Sequence, residues 1–252
     1  MAEGETIVLV DSKQRRYLVA LEAGGEFHSH AGILDHDQII GCPEGLELRS
    51  NKGARFLALR PTLVDYVLKM PRGAQVIYPK DLGPILMMAD IHPGLTVLES
   101  GVGSGALSTT LVRAGATVVG YELRQEFAET ATANVVGFLG QEALAHYRVE
   151  TRDAYQGIEE RNLDRILLDL PEPWQVVPHV PGAMKPGGIL LAYNPSISQV
   201  MSLREALDAG PFGMIETVEV LNRSWHVDGY AVRPDHRMVA HTGFITHCRL
   251  LR

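Results

Sequence analysis

The sequence predicts an α/β protein in which a doubly wound, mostly parallel sheet with a C-terminal antiparallel hairpin follows a small β domain. Three observations carry this. From Pro93-Gly94 onward apolar strand-like runs alternate with helical periodicity, the pattern of a parallel sheet covered by helices on both faces. The first sixty residues instead hold short β-like runs punctuated by glycine and proline. Beyond Glu216 two β-rich runs follow one another with no helix between them. The expected organisation is a β domain over 1–60, a helical connector over 61–92 and a Rossmann-like domain over 93–252.

A chain of 252 residues can bury a sizeable core, whether as one large domain or as a small one joined to a larger one. Its apolar runs fall far short of a membrane span, and the start, Met-Ala-Glu-Gly-Glu, is acidic where a secretory signal would be basic. A cytoplasmic protein is expected. Cys42 and Cys248 are the only cysteines and read as small buried hydrophobes rather than as a disulfide framework or thiolate metal site. The net charge of -7 argues against nucleic-acid binding by bulk charge. Two local patches run against that background. Arg49 to Arg72 carries six basic residues against Asp65 alone, and Arg223 to Arg252 carries five against Asp228 and Asp235, with four histidines besides. Each patch taken alone also reads as an ordinary solvated face.

In chain order, Thr6–Val10, Arg16–Leu21, Leu46–Arg49 and Arg55–Leu59 are the strands of the small domain. His28 and His30 stand two apart, on one face if they share a strand, with His36 nearby. A metal would need a third ligand in register, and exposed loop histidines are the simpler reading; no metal site is expected. Pro61 suits the first position of a helix with Leu63, Val64, Val67 and Leu68 on one face. Asp81 can cap the next helix, whose body is Ile85–Ile91. Tyr78, just upstream, becomes a pocket residue if the connector folds over the turn that follows.

That turn is Val97-Leu98-Glu99-Ser100-Gly101-Val102-Gly103-Ser104-Gly105, leading into a helix over Ala106–Ala114. Strand, glycine turn and helix N-terminus make a nucleotide-site geometry. Gly101, Gly103 and Ala106 satisfy the dinucleotide fingerprint, whereas Gly101, Gly103 and Gly105 satisfy the E/D-x-G-x-G-x-G turn of S-adenosylmethionine enzymes. Glu99 tips the balance. S-adenosylmethionine offers a cationic sulfonium and an ammonium group, which a carboxylate at the strand tip suits directly or through water.

The next strands are Thr117–Glu122 and Tyr147–Thr151, separated by a helix over Arg124–Leu139. Glu122 ends its strand where a doubly wound fold presents an acid to ribose hydroxyls, a feature that dinucleotide enzymes share. Asp153, past the following strand, can accept from a cofactor's adenine amine, or serve only as a turn residue. In Asp164-Arg165-Ile166-Leu167-Leu168-Asp169-Leu170-Pro171-Glu172-Pro173-Trp174 the apolar core is a buried strand, and Asp169 emerges beside the cleft as prolines force an extended exit. The D-x-P-x-P-W exit is similar to the D/N-P-P-Y/F/W exit of enzymes that methylate base amines. Ile189–Tyr193 is the fifth strand, Ser198 can cap a helix over Val200–Ala209, and Glu216–Val227 should pair antiparallel with His241–Leu251 across Gly229–Arg237.

Taken in order, Gly25-Glu26-Phe27-His28-Ser29-His30, Arg60-Pro61-Thr62, Tyr78-Pro79-Lys80-Asp81, Val97 to Leu107, Asp169 to Trp174 and His241-Thr242-Gly243-Phe244 resemble the bacterial and archaeal tRNA (adenine-58) N1-methyltransferases across nearly the whole chain. The resemblance implies a Rossmann-like S-adenosylmethionine methyltransferase domain, S-adenosyl-L-methionine as cofactor, a homotetramer, and a tRNA T-loop adenine as substrate. It also implies that Gly101, Gly103, Ser104, Gly105, Ala106, Leu107, Glu122, Asp153 and Asp169 contact cofactor or target, and that Tyr78 and Tyr193 line the adenine pocket. Ser100-Gly101-Val102 departs from the family's frequent Ala-Gly-Thr/Ala, a change confined to side-chain contacts. One competing reading is a methyltransferase of protein carboxyls or small molecules, which the D-x-P-x-P-W exit and the basic patches disfavour. The others are a noncatalytic nucleoside-binding module, which would not need Asp169 beside two tyrosines, and an NAD-dependent oxidoreductase, which titration with S-adenosylmethionine and with NAD would separate.

Overall fold

The computed structural model describes residues 1–73 and 75–252, which divide into two compact units, Met1–Pro71 and Arg72–Arg252. The first unit contains β1 (Thr6–Asp11), β2 (Arg16–Ala20), β3 (Glu26–Ser29), β4 (Gly32–Asp35), β5 (Leu46–Arg49), β6 (Arg55–Leu59) and the helix α1 (Leu63–Lys69). Four of these strands form an antiparallel sheet in the order β2-β1-β6-β5, while β3 and β4 make a separate hairpin. Alternation along β1 and β6 sends Ile7, Leu9, Phe56 and Ala58 into a core completed by Leu21, Leu34 and Ile39. The segment expected as one connector is divided. Helix α1 stays with the first unit, where Arg16 pairs with Asp65, and the next helix belongs to the second.

Helix α1 does not begin at Pro61. Thr62 is its N-cap, in a capping box with Asp65, because a hydroxyl that accepts from the third backbone N–H satisfies a donor that a proline only removes. His28 lies on β3, 2.8 Å from Glu26, while His30 falls beyond the strand end, so the pair shares no strand face. Among the described residues no cluster of three or more His, Cys, Asp or Glu could hold a metal ion.

The second unit runs α2 (Pro79–Met88), β7 (Thr96–Ser100), α3 (Ala106–Arg113), β8 (Thr117–Glu122), α4 (Gln125–Leu139), β9 (Tyr147–Thr151), β10 (Leu163–Leu168), α5 (Val180–Ala183), β11 (Met184–Asn194), α6 (Ile197–Asp208), β12 (Phe212–Glu219), β13 (Trp225–Asp228), β14 (Ala231–Pro234) and β15 (Phe244–Leu250). Its seven-stranded sheet has the order β12-β15-β11-β10-β7-β8-β9. Only β15 runs antiparallel to its neighbours, β11 and β12. The chain winds outward from β7 through β8 and β9, then returns to β10 on the other side of β7, so the winding reverses between β7 and β10. Ligands of such sheets bind beyond the carboxyl ends of the strands at that reversal. Leu98, Val119, Ile166, Leu168 and Leu190 pack one sheet face against Leu203 and Leu207 of α6 and Val180 and Ala183 of α5, each buried side chain contributing about 1.5–3 kcal/mol for the larger aliphatics.

Two caps differ from the sequence reading. Tyr78 is the N-cap of α2 with Pro79 at the first helical position, where a missing N–H costs nothing; Asp81 is drawn inside the helix and fully buried. Ser196, not Ser198, caps α6, in a capping box with Gln199. The C-terminal pairing is between β12 and β15, and the segment around Gly229 forms its own two-stranded hairpin, β13 with β14. Cys248 is buried and Cys42 only partly so. Among the described residues no helix is long and apolar enough to cross a membrane.

Candidate functional site

Parallel pairing of β7 with β10 sets Ser100 opposite Leu168, and the Asp169 N–H donates to the Ser100 carbonyl at 2.9 Å. The glycine turn and the D-x-P-x-P-W exit therefore leave the sheet side by side. Gly101 has φ +86°, and a Cβ there would lie 2.0 Å from the Asp169 carbonyl oxygen. Only glycine allows both the left-handed backbone and that approach. Gly105, the N-cap of α3 at φ +81°, is pressed against Ala131 of α4, whose Cα a Cβ would meet at 3.0 Å. Two of the three glycines thus answer to the packing of the protein itself, and Gly103 offers its N–H to Glu122 Oε2 at 3.0 Å.

Beyond these strand ends lies a cleft of ≈ 680 Å³ lined by Gly101, Gly103, Glu122, Asp153, Tyr155 and Asp169, among others, a size suited to one nucleoside-sized ligand. The Glu122 carboxylate accepts three backbone N–H groups, from Gly103, Leu123 and Arg124, at 3.0 to 3.2 Å. Asp153 caps a short 3-10 turn by accepting from Tyr155 N at 2.9 Å. Ser104, Ala106 and Leu107 are buried beneath the turn and shape it from behind. Glu99 is placed differently from its sequence reading: it is buried, outside the lining of the cleft, and accepts from Ser108 Oγ of α3 at 2.6 Å. A strand-tip residue alternates faces with its neighbours, and this one faces the helix that covers the sheet. Burial pushes the Glu99 carboxyl up to about 8.

A second cavity, of ≈ 420 Å³, is lined by Tyr78, Tyr193, Val239, His241 and Thr242, and it shares Gln75, Asp169 and Pro195 with the first. Asp169 stands at the junction. Among the described residues nothing donates a hydrogen bond to its carboxylate, and burial, with the Glu122 charge second, pushes it up to about 7. A carboxyl so poised favours an incoming donor or cation. Tyr78 and Tyr193 meet across this cavity although 115 positions separate them in the chain, and burial raises the Tyr193 hydroxyl well above its ordinary value.

The donor-poor, carboxylate-rich cleft fits a cationic nucleoside. Ribose hydroxyls, an adenine amine and an ammonium group are all donors, and Glu122, Asp153 and Asp169 are all acceptors. A pyrophosphate would meet these three carboxylates, while the rim arginines are already engaged: Arg124 lies over the Phe127 ring and beside Glu122, and Arg152 pairs with Glu150 and Glu159. Sequence reasoning missed Tyr155, Gln199, Asp81 and Thr242. Gln199 carries a local signal, the S-x-x-Q capping box, and its amide is tied to the Pro171 carbonyl at 2.8 Å, whereas Asp81 and Thr242 stood within motifs of the resemblance, without a site role.

Comparisons with known proteins agree with this geometry. The family model for the tRNA methyltransferase complex GCD14 subunit matches residues 55–242, and that for the TrmI-like N-terminal region matches 1–46. The tRNA (adenine(58)-N(1))-methyltransferase TrmI of Thermus thermophilus is 36% identical over 252 residues, covering 99% of this chain and 98% of its own. A crystal structure from Thermotoga maritima, described as an SAM-dependent O-methyltransferase, superposes with a TM-score of 0.94 at 32% identity over 100% of this chain and 95% of the other. The TrmI tRNA (m1A58) methyltransferase of Aquifex aeolicus superposes with a TM-score of 0.86 at 28% identity, over 100% and 99%. With both units matched and the cleft formed where the sheet reverses, the chain belongs to the tRNA (adenine-58) N1-methyltransferase family.

Proposed function

We propose that this protein transfers the methyl group of S-adenosylmethionine to N1 of adenine 58 in the tRNA T loop, as a cytoplasmic homotetramer. The observation that carries the reading is the place of Asp169, a carboxylate without a hydrogen-bond donor among the described residues and shared by two cavities of different make. One cavity offers acceptors to a nucleoside cofactor, the other offers aromatic walls to a base. S-adenosylmethionine supplies a methyl carbon made electrophilic by its sulfonium.

The chain's own residues do the rest. Glu122 accepts from ribose hydroxyls, Asp153 from the cofactor's adenine amine, and the Gly101–Gly103 backbone lets the ligand lie against the turn. In the second cavity Tyr78 and Tyr193 hold a base taken out of its stack. N1 of neutral adenine has its lone pair in the ring plane and carries no proton, so alignment matters more than a strong base. Asp169 accepts from the target N6 amine, which aims N1 at the cofactor cleft, and its charge stabilises the cation that spreads over the ring as N1 is methylated. Basic residues in 49–72 and 223–252, repeated around a symmetric oligomer, would hold tRNA phosphates despite the acidic total.

The test is incubation of purified protein with labelled S-adenosylmethionine and unmodified tRNA, then digestion. N1-methyladenosine from position 58 is expected; untouched tRNA beside methylated protein or small molecule would overturn the reading. Light scattering should give about four times the 27.6 kDa chain mass. A monomer that still methylates tRNA would remove assembly from the proposal.

A further inference from the structure

One buried carboxylate beside the second cavity, Asp81, has no role in the chemistry assigned so far. Asp81, in the first turn of α2, has no exposed surface. Its Oδ1 accepts from Lys80 Nζ at 2.8 Å, and its Oδ2 accepts from Thr242 Oγ1 at 2.7 Å and from the Tyr193 hydroxyl at 3.4 Å. Lys80 Nζ also donates to the Val220 carbonyl at 2.6 Å. One carboxylate therefore gathers α2, the end of β11, and the segment that leads into β15. The short Thr242 bond is the stronger clasp and the long Tyr193 contact the weaker. Gly243 completes the arrangement: a Cβ there would lie 2.5 Å from Tyr193 Cζ, so the bare backbone packs directly on the phenol ring.

This cluster is more than a buried ion pair. Val239, His241 and Thr242 form one wall of the cavity and Tyr193 another, and Asp81 holds both. The Tyr193 hydroxyl already has an acceptor in Asp81 Oδ2, at 3.4 Å, and Thr242 beside it. We propose that Asp81 and Thr242 are positioning residues of the target-base pocket: they fix the 239–242 wall against Tyr193, which meets the base with its ring rather than as a hydrogen-bond donor. The proposal rests on reading this cavity as the base site. Misplacing a wall that sets the angle of N1 slows the reaction without touching the cofactor cleft.

Removing Asp81 would strand the buried Lys80 charge and endanger the fold, so Thr242 carries the test. Thr242→Val should lower kcat with tRNA about tenfold while the calorimetric Kd for S-adenosylmethionine and the melting temperature stay near those of the unaltered protein. Thr242→Ser, which keeps the hydroxyl, should restore turnover to within about twofold. Tyr193→Phe should combine with Thr242→Val non-additively, the double variant being no slower than the worse single one. Unchanged kcat in Thr242→Val, failure of the serine variant to rescue, or effects that multiply would each overturn the positioning role. If the unaltered protein binds S-adenosylmethionine yet transfers nothing to tRNA, the base-site reading itself fails.

Discussion

The two cavities that meet at Asp169 are built on opposite principles. The first is assembled from strand ends: Ser100 at the tip of β7 with Gly101 after it, Glu122 at the tip of β8, Asp153 after β9 and Asp169 after β10. Each strand contributes a residue or two at its carboxyl end, and the parallel register brings them together, with side-chain bonds such as Glu122 to the Gly103 N–H trimming the turn rather than assembling it. The second takes its lining from residues 75–78, Asp169, Tyr193, Pro195, Val239, His241 and Thr242, which lie on segments whose meeting depends on polar bonds such as Thr242 to Asp81. A cavity set by backbone register tolerates side-chain change; one set by side-chain clasps does not. Substitutions in the first should therefore weaken cofactor binding in proportion to the hydrogen bonds they remove, and substitutions in the second should impair turnover with binding spared.

Asp169→Asn probes the residue common to both and should have the largest effect. The amide nearly keeps the shape, loses the charge, and can present a donor where the target amine needs an acceptor. Turnover should fall about a hundredfold or more, the scale of one preorganised electrostatic contact, while the Kd for S-adenosylmethionine changes little. A variant that bound cofactor poorly but turned over normally at saturation would assign the carboxylate to the first cavity alone. The same group sets a pH dependence. Its carboxyl is pushed up to about 7 and must be ionised for its charge to stabilise the ring cation, so kcat/KM should drop as pH falls through about 7. That inflection should be missing from Asp169→Asn. A flat profile between pH 6 and 8 in the unaltered protein would mean that ionisation of Asp169 is not required.

Glu122→Ala should do the reverse. Loss of the ribose acceptor, and of the anchor for the Gly103 N–H, should raise the Kd for S-adenosylmethionine about tenfold or more and leave saturated turnover within about threefold of the original. Removing this charge also lifts one of the two influences that raise Asp169, so the inflection in kcat/KM should move to lower pH. A shift the other way would show that Glu122 acts on Asp169 through structure rather than charge.

The same contrast explains what the sequence disclosed. Strand-end residues were readable because the glycine turn, the acid that ends Thr117–Glu122 and the D-x-P-x-P-W exit are contiguous signals tied to elements of clear periodicity. Fold class and the mixed C-terminal pairing were readable for the same reason. Asp81 and Thr242 were not, because a bond between positions 161 residues apart leaves no local pattern, and Asp81 resembled a helix cap until Tyr78 and Pro79 took that place. The short hairpin of β3 and β4 went unread because Glu-Phe-His-Ser and Gly-Ile-Leu-Asp mix histidine, serine, glycine and aspartate into four-residue strands and so read as loop. Glu99 was legible as a motif residue but not in its direction, which depends on which sheet face the strand tip presents to α3.

Glu99→Gln tests that last difference and should have the smallest effect on function. The carboxyl accepts from Ser108, whose oxygen in turn accepts from the Tyr147 hydroxyl at 3.1 Å; a glutamine can accept from Ser108 in the same way. With its carboxyl raised from 4.5 to about 8 by burial, Glu99 is neutral in the folded protein where it would be ionised in the unfolded chain. For a raised carboxyl the sign is that stability is fully present below about pH 4.5 and is lost as pH rises through about 8. Thermal melts of the original protein should therefore show a melting temperature that falls between about pH 5 and 8 and levels off above, and Glu99→Gln, which cannot ionise, should flatten that fall. Its Kd for S-adenosylmethionine should stay within about threefold of the original, because no lining atom of the cleft has been removed. A tenfold loss of cofactor affinity with an unchanged melting profile would put the Glu99 carboxylate in the cofactor site and make the first cavity depend on a side-chain contact through its floor.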